Sequence, residues 1–340
     1  MRNSLGLLLA MLVSFTSISA QAQSQDVDFA AWDTFIEGVR AEAIAKGISE
    51  DFVMAATANI QPLKRAIALD RKQPEFKQTS RTYMDKRVSA FRIQAGQEMM
   101  ATHADLLAGI AEKYGVQARY IVAIWGMETN YGRFVLKTDA IRALATMAFD
   151  KRRGAFFRKE LMAALQILDE GHVSLENMKG SWAGAMGQSQ FMPTSFLGYA
   201  KDGNGDGRRD IWDDEADVFA SIANYLARHG WSDDHSWGRE VIVPVGFEET
   251  IAELSEAPPP GCRAMKRHTQ RLSLAEWQRL GLRRLNGQDL PKRNLKASLV
   301  HPDGVGGPAF LAYGNYKAIL GYNCANLYAL SVGHLAEKIK

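Results

Sequence analysis

Ile121-Val-Ala-Ile-Trp-Gly-Met-Glu-Thr-Asn-Tyr-Gly-Arg-Phe134 is the stretch around which the rest of the chain is organised. Helical spacing puts Ile121, Ile124, Trp125 and Glu128 on one face, at i, i+3, i+4 and i+7, so a carboxylate shares a stripe with side chains that seek the interior. Charge is costly there. The acid must be paired, keep its proton through a raised pKa, or line a cleft. Gly126 and Gly132 bracket Glu128, leaving room for close approach to the backbone and marking a helix end just beyond the acid. Taken alone, Glu128 reads as a buried acid paired with an arginine or as a general acid, and only its surroundings can choose.

Those surroundings are rich in aromatics and amides. Trp125, Tyr131, Trp182, Phe191 and Tyr225, with Gln188, Gln190 and Asn323, have the make-up of a sugar cleft in which rings stack on pyranose faces and amides read hydroxyls, although each ring singly also reads as core. A carboxyl in an apolar pocket holds its proton near neutral pH, which suits a general acid acting on a glycosidic oxygen. The Gly180–Ser189 loop is glycine-rich, but no Lys follows its glycines as a phosphate loop requires, which argues against nucleotide binding.

Outward from this centre the chain reads as helices. Between Trp32 and about Leu107, Phe35, Ile36, Val39 and Ala43 form one stripe ending at Gly47, and Met84, Val88, Phe91 and Ala95 form another. Arg81, Lys86, Arg87 and Arg92 accompany the second stripe; they could face an acidic polymer, but a solvated helical face is the reading favoured for a charge run. Thr138 to Leu168 continues as helix, with Lys151 among its exposed bases. Pro193 opens a helix, and Asp217 to His229 is a helix closed by Gly230, with Val218, Ile222, Tyr225 and Leu226 inward. From Glu240 the period shifts to two, with a strand around Val241–Val243. After the Ala257–Gly261 break comes a small unit with a helix near Leu274–Leu280 and apolar runs at Ala297–Val300 and Ala309–Tyr313. Tyr322 to Ile339 closes the chain as one helix.

Over 340 residues, 46% hydrophobic and 23% charged is ordinary globular composition with enough apolar mass for more than one domain. Arg2, a short apolar run and Ala20-Gln21-Ala22 read as a secretory signal peptide, too short and too broken by Ser14, Thr16 and Ser17 for a membrane anchor. No Cys lies near the cleavage site to carry a lipid, so a soluble exported protein is expected. Losing Arg2 takes the formal charge from +3 to +2, too slight to imply a nucleic-acid partner. Cys262 and Cys324 are expected to form a disulfide in an oxidising compartment, tying a C-terminal insertion to the last helix.

Asp202-Gly-Asn-Gly-Asp-Gly-Arg-Arg-Asp-Ile-Trp-Asp213 places oxygen donors at loop positions one, three, five, nine and twelve, with Gly207 at the sharp turn. Position twelve is Asp213 rather than a longer Glu, and Asp217 could replace it. A calcium loop and a solvated Asp/Gly turn without metal both fit, and the number of matching positions favours structural Ca²⁺.

The Gly126–Gly132 segment, the Ser181–Pro193 segment, the aspartate loop with Ile211-Trp212, the Ala223–Tyr225 to His229–Trp231 run, and Tyr322-Asn323 with Tyr328-Ala329 resemble, in order and spacing, the B-type lytic murein transglycosylases. The resemblance implies a mainly α (α+β) chain: a lysozyme-like catalytic core with an N-terminal helical domain and a small β-containing insertion. On that reading residues 1–22 are the signal peptide and 27–115, joined by 138–178, the helical domain. The core is 116–137 and 179–240, with the calcium-like loop at 202–217; the insertion is 241–320, and 321–340 is the closing helix.

The resemblance further implies cleavage of peptidoglycan between N-acetylmuramic acid and N-acetylglucosamine without water, giving a 1,6-anhydro product. It makes Glu128 the single acid and then base, and places Ser181, Gln190, Tyr225, Tyr322, Asn323 and Tyr328 along the sugar subsites or beside the acid. It assigns Asp202, Asn204, Asp206, the carbonyl of Arg208 and either Asp213 or Asp217 to the metal. Murein glycan strands are the expected partner, the periplasm the expected location, cell-wall enzyme complexes a further class of partner, and no cofactor is needed for the chemistry. A hydrolytic muramidase of the same fold and a non-catalytic peptidoglycan-binding protein are the rival readings. Oligomeric state is not legible.

Overall fold

The computed structural model describes residues 29–71, 78–150, 152–255, 257–258 and 261–340. The expected signal peptide at 1–22 lies outside the described residues, as do Lys151 and part of the proline-rich break near 259–260.

At the centre is α7 (Ala118–Thr129), in which every residue from Tyr120 to Met127 is buried. It packs against α5 (Ala90–Thr102), α6 (Ala104–Tyr114), α11 (Glu215–Arg228) and α15 (Asn326–Lys338). The one-sided stripe expected from the sequence is therefore too narrow: a helix enclosed by four others needs apolar residues all round. Ile121, Val122 and Ile124 have no exposure at all, and each such side chain stabilises the fold by about 1.5–3 kcal/mol. The helix ends one turn earlier than Gly132, because Asn130 is already left-handed, and Asn130, Tyr131 and Gly132 follow one another at φ 53°, 61° and 70°. A bulky residue pays steric strain in that region. Tyr131 is held there by its ring, which covers Gly126 so closely that a Cβ would sit 2.4 Å from it, and by its hydroxyl, which donates to the Arg92 carbonyl at 2.8 Å.

Three expected helices are broken. The Met84–Ala95 stripe divides into α4 (Ser80–Arg87) and α5 because Ser89 accepts from the Arg92 N–H and starts a new helix, which leaves Phe91 62% exposed. Thr138 to Leu168 divides into α8 (Ala140–Phe149), capped by Asp139, and α9 (Gly154–Asp169). The closing helix begins only at Asn326, and Tyr322 instead ends α14 (Gly314–Tyr322). A side-chain cap makes only the first of these breaks; α9 and α15 start after Arg153 and Ala325 with no side-chain cap, so there the turn of the backbone cuts a pattern that periodicity alone carries on.

The N-terminal helices α1 (Phe29–Ala45), α2 (Glu50–Thr57) and α3 (Lys64–Arg71) pack on α8 and α9. Trp32 is fully buried against Phe149 and donates from its indole to Ile60 O at 3.0 Å. The buried Glu160 of α9 accepts from both the backbone N–H and the hydroxyl of Thr194, fixing the start of α10 (Pro193–Tyr199). Two short strands, β1 (Thr138–Asp139) and β2 (Lys179–Gly180), pair antiparallel beside the glycine-rich loop.

Beyond α11 lies an antiparallel sheet of β3 (Gly238–Ile242), β4 (Leu272–Ser273), β5 (Arg283–Arg284), β6 (Lys296–Val300) and β7 (Ala309–Ala312), in the order β4-β6-β7-β3-β5. With α12 (Glu248–Leu254) and α13 (Leu274–Arg279) it builds a second apolar cluster around Trp277, Leu299 and Leu311, separate from the main core. Several ties hold this unit to the helices, among them the His268–Asn326 hydrogen bond. Asp303 accepts from the N–H and hydroxyl of Ser80 at the start of α4, and Cys262 is disulfide-bonded to Cys324 between α14 and α15. The described residues are thus mostly helical, with the five-stranded sheet and the β1–β2 pair as their strands. None of the described helices is long and apolar enough to cross a membrane.

Candidate active site

Glu128 is the one residue between Tyr120 and Thr129 that keeps partial exposure, where the last turn of α7 emerges from the core. Burial of its carboxyl pushes the pKa up to about 7, partly offset by a hydrogen bond from Tyr328 and by the positive charge of Arg87. The Tyr328 hydroxyl donates to Oε1 at 2.6 Å. Among the described residues no second carboxylate perturbs Glu128. A lone acid that holds its proton near neutral pH can donate it, and its conjugate base, stabilised by Tyr328 and Arg87, can take one back.

Tyr328 comes from α15 and Tyr322 from the end of α14, and both reach the acid, while Tyr225 from α11 packs against Tyr322. Tyr328 and Tyr322 are both raised well above the ordinary phenol range, mainly by burial and then by the charge of Glu128. Tyr322 donates to Ser189 O at 2.6 Å and lies 4.9 Å, edge-on, from Tyr225. Tyr225, pushed up to about 12 by burial, donates to Gly321 O and stacks on His229 at 4.0 Å. These rings form one wall whose hydroxyls are mostly spent on backbone carbonyls, so their shape is set before any ligand arrives.

The glycine-rich segment packs against this wall, Tyr322 donating to Ser189 O and Phe191 lying 5.6 Å from both Tyr225 and Tyr322. Ser181 Oγ accepts from the N–H groups of Ala183 and Ala185, and Gln190, itself at φ 52°, donates to Gly187 O at 2.9 Å. Both side chains therefore organise the loop. Gln188, expected to read sugar hydroxyls, is instead an internal strut: its Oε1 accepts from the Trp125 indole at 2.7 Å and its amide donates to Trp212 O at 2.8 Å. Trp125, Tyr131 and Phe191 are likewise core residues, at 2%, 4% and 2% exposure, so only Trp182 of that aromatic set outside the tyrosine wall stays partly open. Asn323 is exposed and makes no side-chain hydrogen bond to a described residue, which leaves its amide available to a ligand.

Two residues of the site escape the sequence reading. Arg87 and Tyr83, one turn apart on α4, face Glu128 and Tyr328, with the Arg87 guanidinium 5.4 Å from the Tyr83 ring. Arg87 had been assigned to a solvated face. The signal was the aromatic at i−4 within the basic run, which marks an inward edge that a count of charges averages away.

In the aspartate loop, Asp202 accepts from the N–H groups of Gly205 and Gly207, Asn204 Oδ1 from Asp206 N–H and Asp206 from Arg208 N–H. Asp214 caps α11 through Asp217 N–H. Asp217 is fully buried and accepts from Gly203 and Asp210; burial, then the charges of Asp214 and Asp202, push its pKa up to about 6. Asp213 is exposed, and partial burial of its carboxyl, then the charges of Asp210 and Glu215, push its pKa up, with no contribution from Asp202 or Asp206. No three acidic, His or Cys side chains among the described residues are gathered closely enough to form a finished cage. A buried, crowded Asp217 is nevertheless the electrostatic condition that a divalent cation relieves.

The Transglycosylase SLT domain family matches residues 31–337. The chain belongs to the B-type lytic transglycosylase family. Membrane-bound lytic murein transglycosylase B of Escherichia coli K12 is 32% identical over 266 residues, which is 76% of this chain and 66% of that protein. The match thus spans just under two thirds of that relative. The structure of SltB3 from Pseudomonas aeruginosa in complex with NAG-anhNAM-pentapeptide is similar at 42% identity, covering 91% of this chain and 79% of that one with a TM-score of 0.83. The Escherichia coli lytic transglycosylase Slt35 in complex with calcium is similar at 28% identity, covering 92% and 94% with a TM-score of 0.72.

Proposed function

We propose that this protein cleaves the β-1,4 bond between N-acetylmuramic acid and N-acetylglucosamine in peptidoglycan and closes the muramic residue into its 1,6-anhydro form. The observation that carries the reading is the single carboxyl of Glu128, poised near pKa 7 with no partner carboxylate acting on it among the described residues. Two-carboxylate glycosidases need a second acid as nucleophile or water activator. One acid suffices when the substrate supplies its own nucleophile. Glu128 protonates the departing glycosidic oxygen as that bond breaks. Its carboxylate, now accepting from Tyr328, takes the proton of the C6 hydroxyl while that oxygen bonds to C1, and the proton balance of the enzyme is restored.

In this reading Tyr225, Tyr322, Ser181 and Gln190 shape the subsites and Asn323 contacts the sugar directly, while Tyr328 steadies the acid. The family relatives support the substrate class, since SltB3 is complexed with NAG-NAM-pentapeptide as well as with the anhydro compound. Asp202, Asn204, Asp206, the Arg208 carbonyl and Asp217 would hold a structural Ca²⁺, with Asp217 preferred to Asp213 because it lies on the side of Asp202. The signal-like first residues support action in the periplasm.

The deciding experiment is mass spectrometry of the products released from purified peptidoglycan by wild type and Glu128→Gln. Anhydro-muropeptides from wild type and none from the variant, which still folds and binds murein, are the expected result. Products heavier by one water assign hydrolysis instead. Murein binding without soluble products reduces the protein to a binding role.

A further inference from the structure

Arg92, in the first turn of α5, donates through its guanidinium to the Arg87 carbonyl and interacts by charge with Arg87 and with the Tyr83 phenol. Tyr83 in turn acts on Tyr328, and Arg87 on Glu128 itself. These links place Arg92 on the Arg87–Tyr83 flank of the acid. The root of its side chain is fixed from both ends, since Ser89 Oγ accepts from the Arg92 N–H and the Tyr131 hydroxyl donates to the Arg92 carbonyl at 2.8 Å. The guanidinium is the part left unsatisfied. It is half-buried, and its Nε is buried without a partner. Among the described residues its side chain hydrogen-bonds to that carbonyl and makes no ion pair. Glu98, on the same helix, is instead paired with Arg133 at 3.8 Å. Burial pulls the Arg92 pKa below the ordinary guanidinium value, and the charge of Arg87 pulls the same way.

A cation that has lost water without gaining a counter-charge is stabilised by an anion that reaches it, and the arginine fork suits a carboxylate. The reaction proposed above brings one to this place. The sugar rings of peptidoglycan are uncharged, and its carboxylates hang from the lactyl arm of the muramic residue, as the arm's own carboxyl or within the peptide attached to it. Cleavage at the muramic C1 seats that residue, arm included, beside Glu128. We propose that Arg92, together with Arg87, receives a carboxylate carried by the lactyl arm and so selects the muramic ring for the position next to the acid. N-acetylglucosamine has a hydroxyl where muramic acid bears the arm, and it offers the two arginines no charge. The inference rests on the cleavage reading and adds to it the group that tells the two sugars apart.

The test is calorimetric titration of Glu128→Gln, which binds without turnover, and of the same protein carrying Arg92→Gln as well. Three GlcNAc-MurNAc disaccharides serve as probes: one with a pentapeptide stem, one with the free lactyl carboxyl, and one whose lactyl carboxyl is a methylamide. At least one of the two anionic disaccharides is expected to bind about tenfold more tightly than the methylamide, and Arg92→Gln to remove that advantage while the methylamide affinity stays the same. Loss of the free carboxyl's advantage identifies the lactyl carboxylate as the partner, and loss of the pentapeptide's advantage identifies a stem carboxylate. Equal weakening of all three ligands reduces Arg92 to a structural role and overturns the assignment. An absent advantage, an advantage that survives Arg92→Gln, or no binding of any disaccharide up to about 10 mM overturns it too. The products of wild type are read separately by mass spectrometry, so failure to form the anhydro ring and failure of this contact give different results.

Discussion

The Tyr328 hydroxyl donates to Glu128 Oε1 at 2.6 Å across 200 residues of sequence, so the acid and its partner act as one unit. The bond favours the carboxylate and therefore opposes the burial that raises the acid's pKa. A hydrogen bond to a charged group is worth about 1.5–3 kcal/mol, and 1.36 kcal/mol is one pKa unit, so Tyr328→Phe should raise the Glu128 pKa by about one unit or more. The alkaline limb of kcat/KM on peptidoglycan, expected near pH 7 in wild type, should move up by that amount while kcat falls by about tenfold from lost positioning. A pH–rate profile with an unmoved limb would remove Tyr328 from the mechanism.

Arg87 acts on the same carboxyl through its charge alone and ranks behind Tyr328. Loss of the cation disfavours the carboxylate, so Arg87→Gln should shift the alkaline limb upward as well, by less than Tyr328→Phe. Added salt should shrink the difference between wild type and Arg87→Gln, because screening weakens a long Coulombic contact more than a hydrogen bond. Profiles of the two proteins at low and high ionic strength supply the check.

How far the site could be read beforehand follows from these residues. Glu128 was legible because a charged residue on an apolar helical stripe is expensive, and Tyr225, Tyr322 and Tyr328 because their blocks match a family pattern. Arg87 and Tyr83 were missed, since a basic run on a helix ordinarily faces water and only packing of α4 on α15 turns one edge inward. Gln188 and Trp125 were misread for the opposite reason: composition cannot tell an amide that reads a sugar from one that ties an indole to a carbonyl. The strands around Val241, Ala297 and Ala309 were legible through β-branched and apolar runs, whereas the breaks at Ser89 and after Tyr322 hang on local caps and turns.

His268 gives a stability prediction. It sits buried between Ser298 Oγ at Nδ1 and Asn326 Oδ1 at Nε2, and because the Asn oxygen can only accept, Nε2 carries the proton and the ring is neutral. Burial pushes its pKa down to about 4. The unfolded chain binds a proton near pH 6.5 that the folded chain refuses, so this stability is present above pH 6.5 and is lost as pH falls toward 4. The full loss is about 3 kcal/mol. Thermal melts at pH 7.5 and 4.5 should therefore differ more for wild type than for His268→Gln.

The Cys262–Cys324 bridge closes 62 residues of the chain and joins the β-containing unit to the start of α15. Loop-closure entropy for that length corresponds to about 4 kcal/mol in the chain-entropy description. Cys262→Ser with Cys324→Ser should lower the denaturation midpoint accordingly, and wild type in reductant should fall to the same value. Equal midpoints for oxidised wild type and the double variant would mean that the bridge adds nothing beyond native packing.

Calcium should raise the melting temperature of wild type, and the two candidate last ligands should separate in the same measurement. Asp217 is fully buried with Asp202 and Asp214 acting on it, so a cation placed among them relieves a repulsion that water cannot reach. Asp213 points to a more exposed edge and is acted on by Asp210 and Glu215. Asp217→Asn should abolish the calcium-dependent rise, whereas Asp213→Asn should leave most of it. Because Asp217 also anchors Gly203 and Asp210, its substitution is compared with itself, with and without metal. With free calcium at about a hundred times Kd, the linkage adds about 2.7 kcal/mol. An unchanged melting temperature at millimolar Ca²⁺ would make the loop a turn held by its own Asp–amide hydrogen bonds.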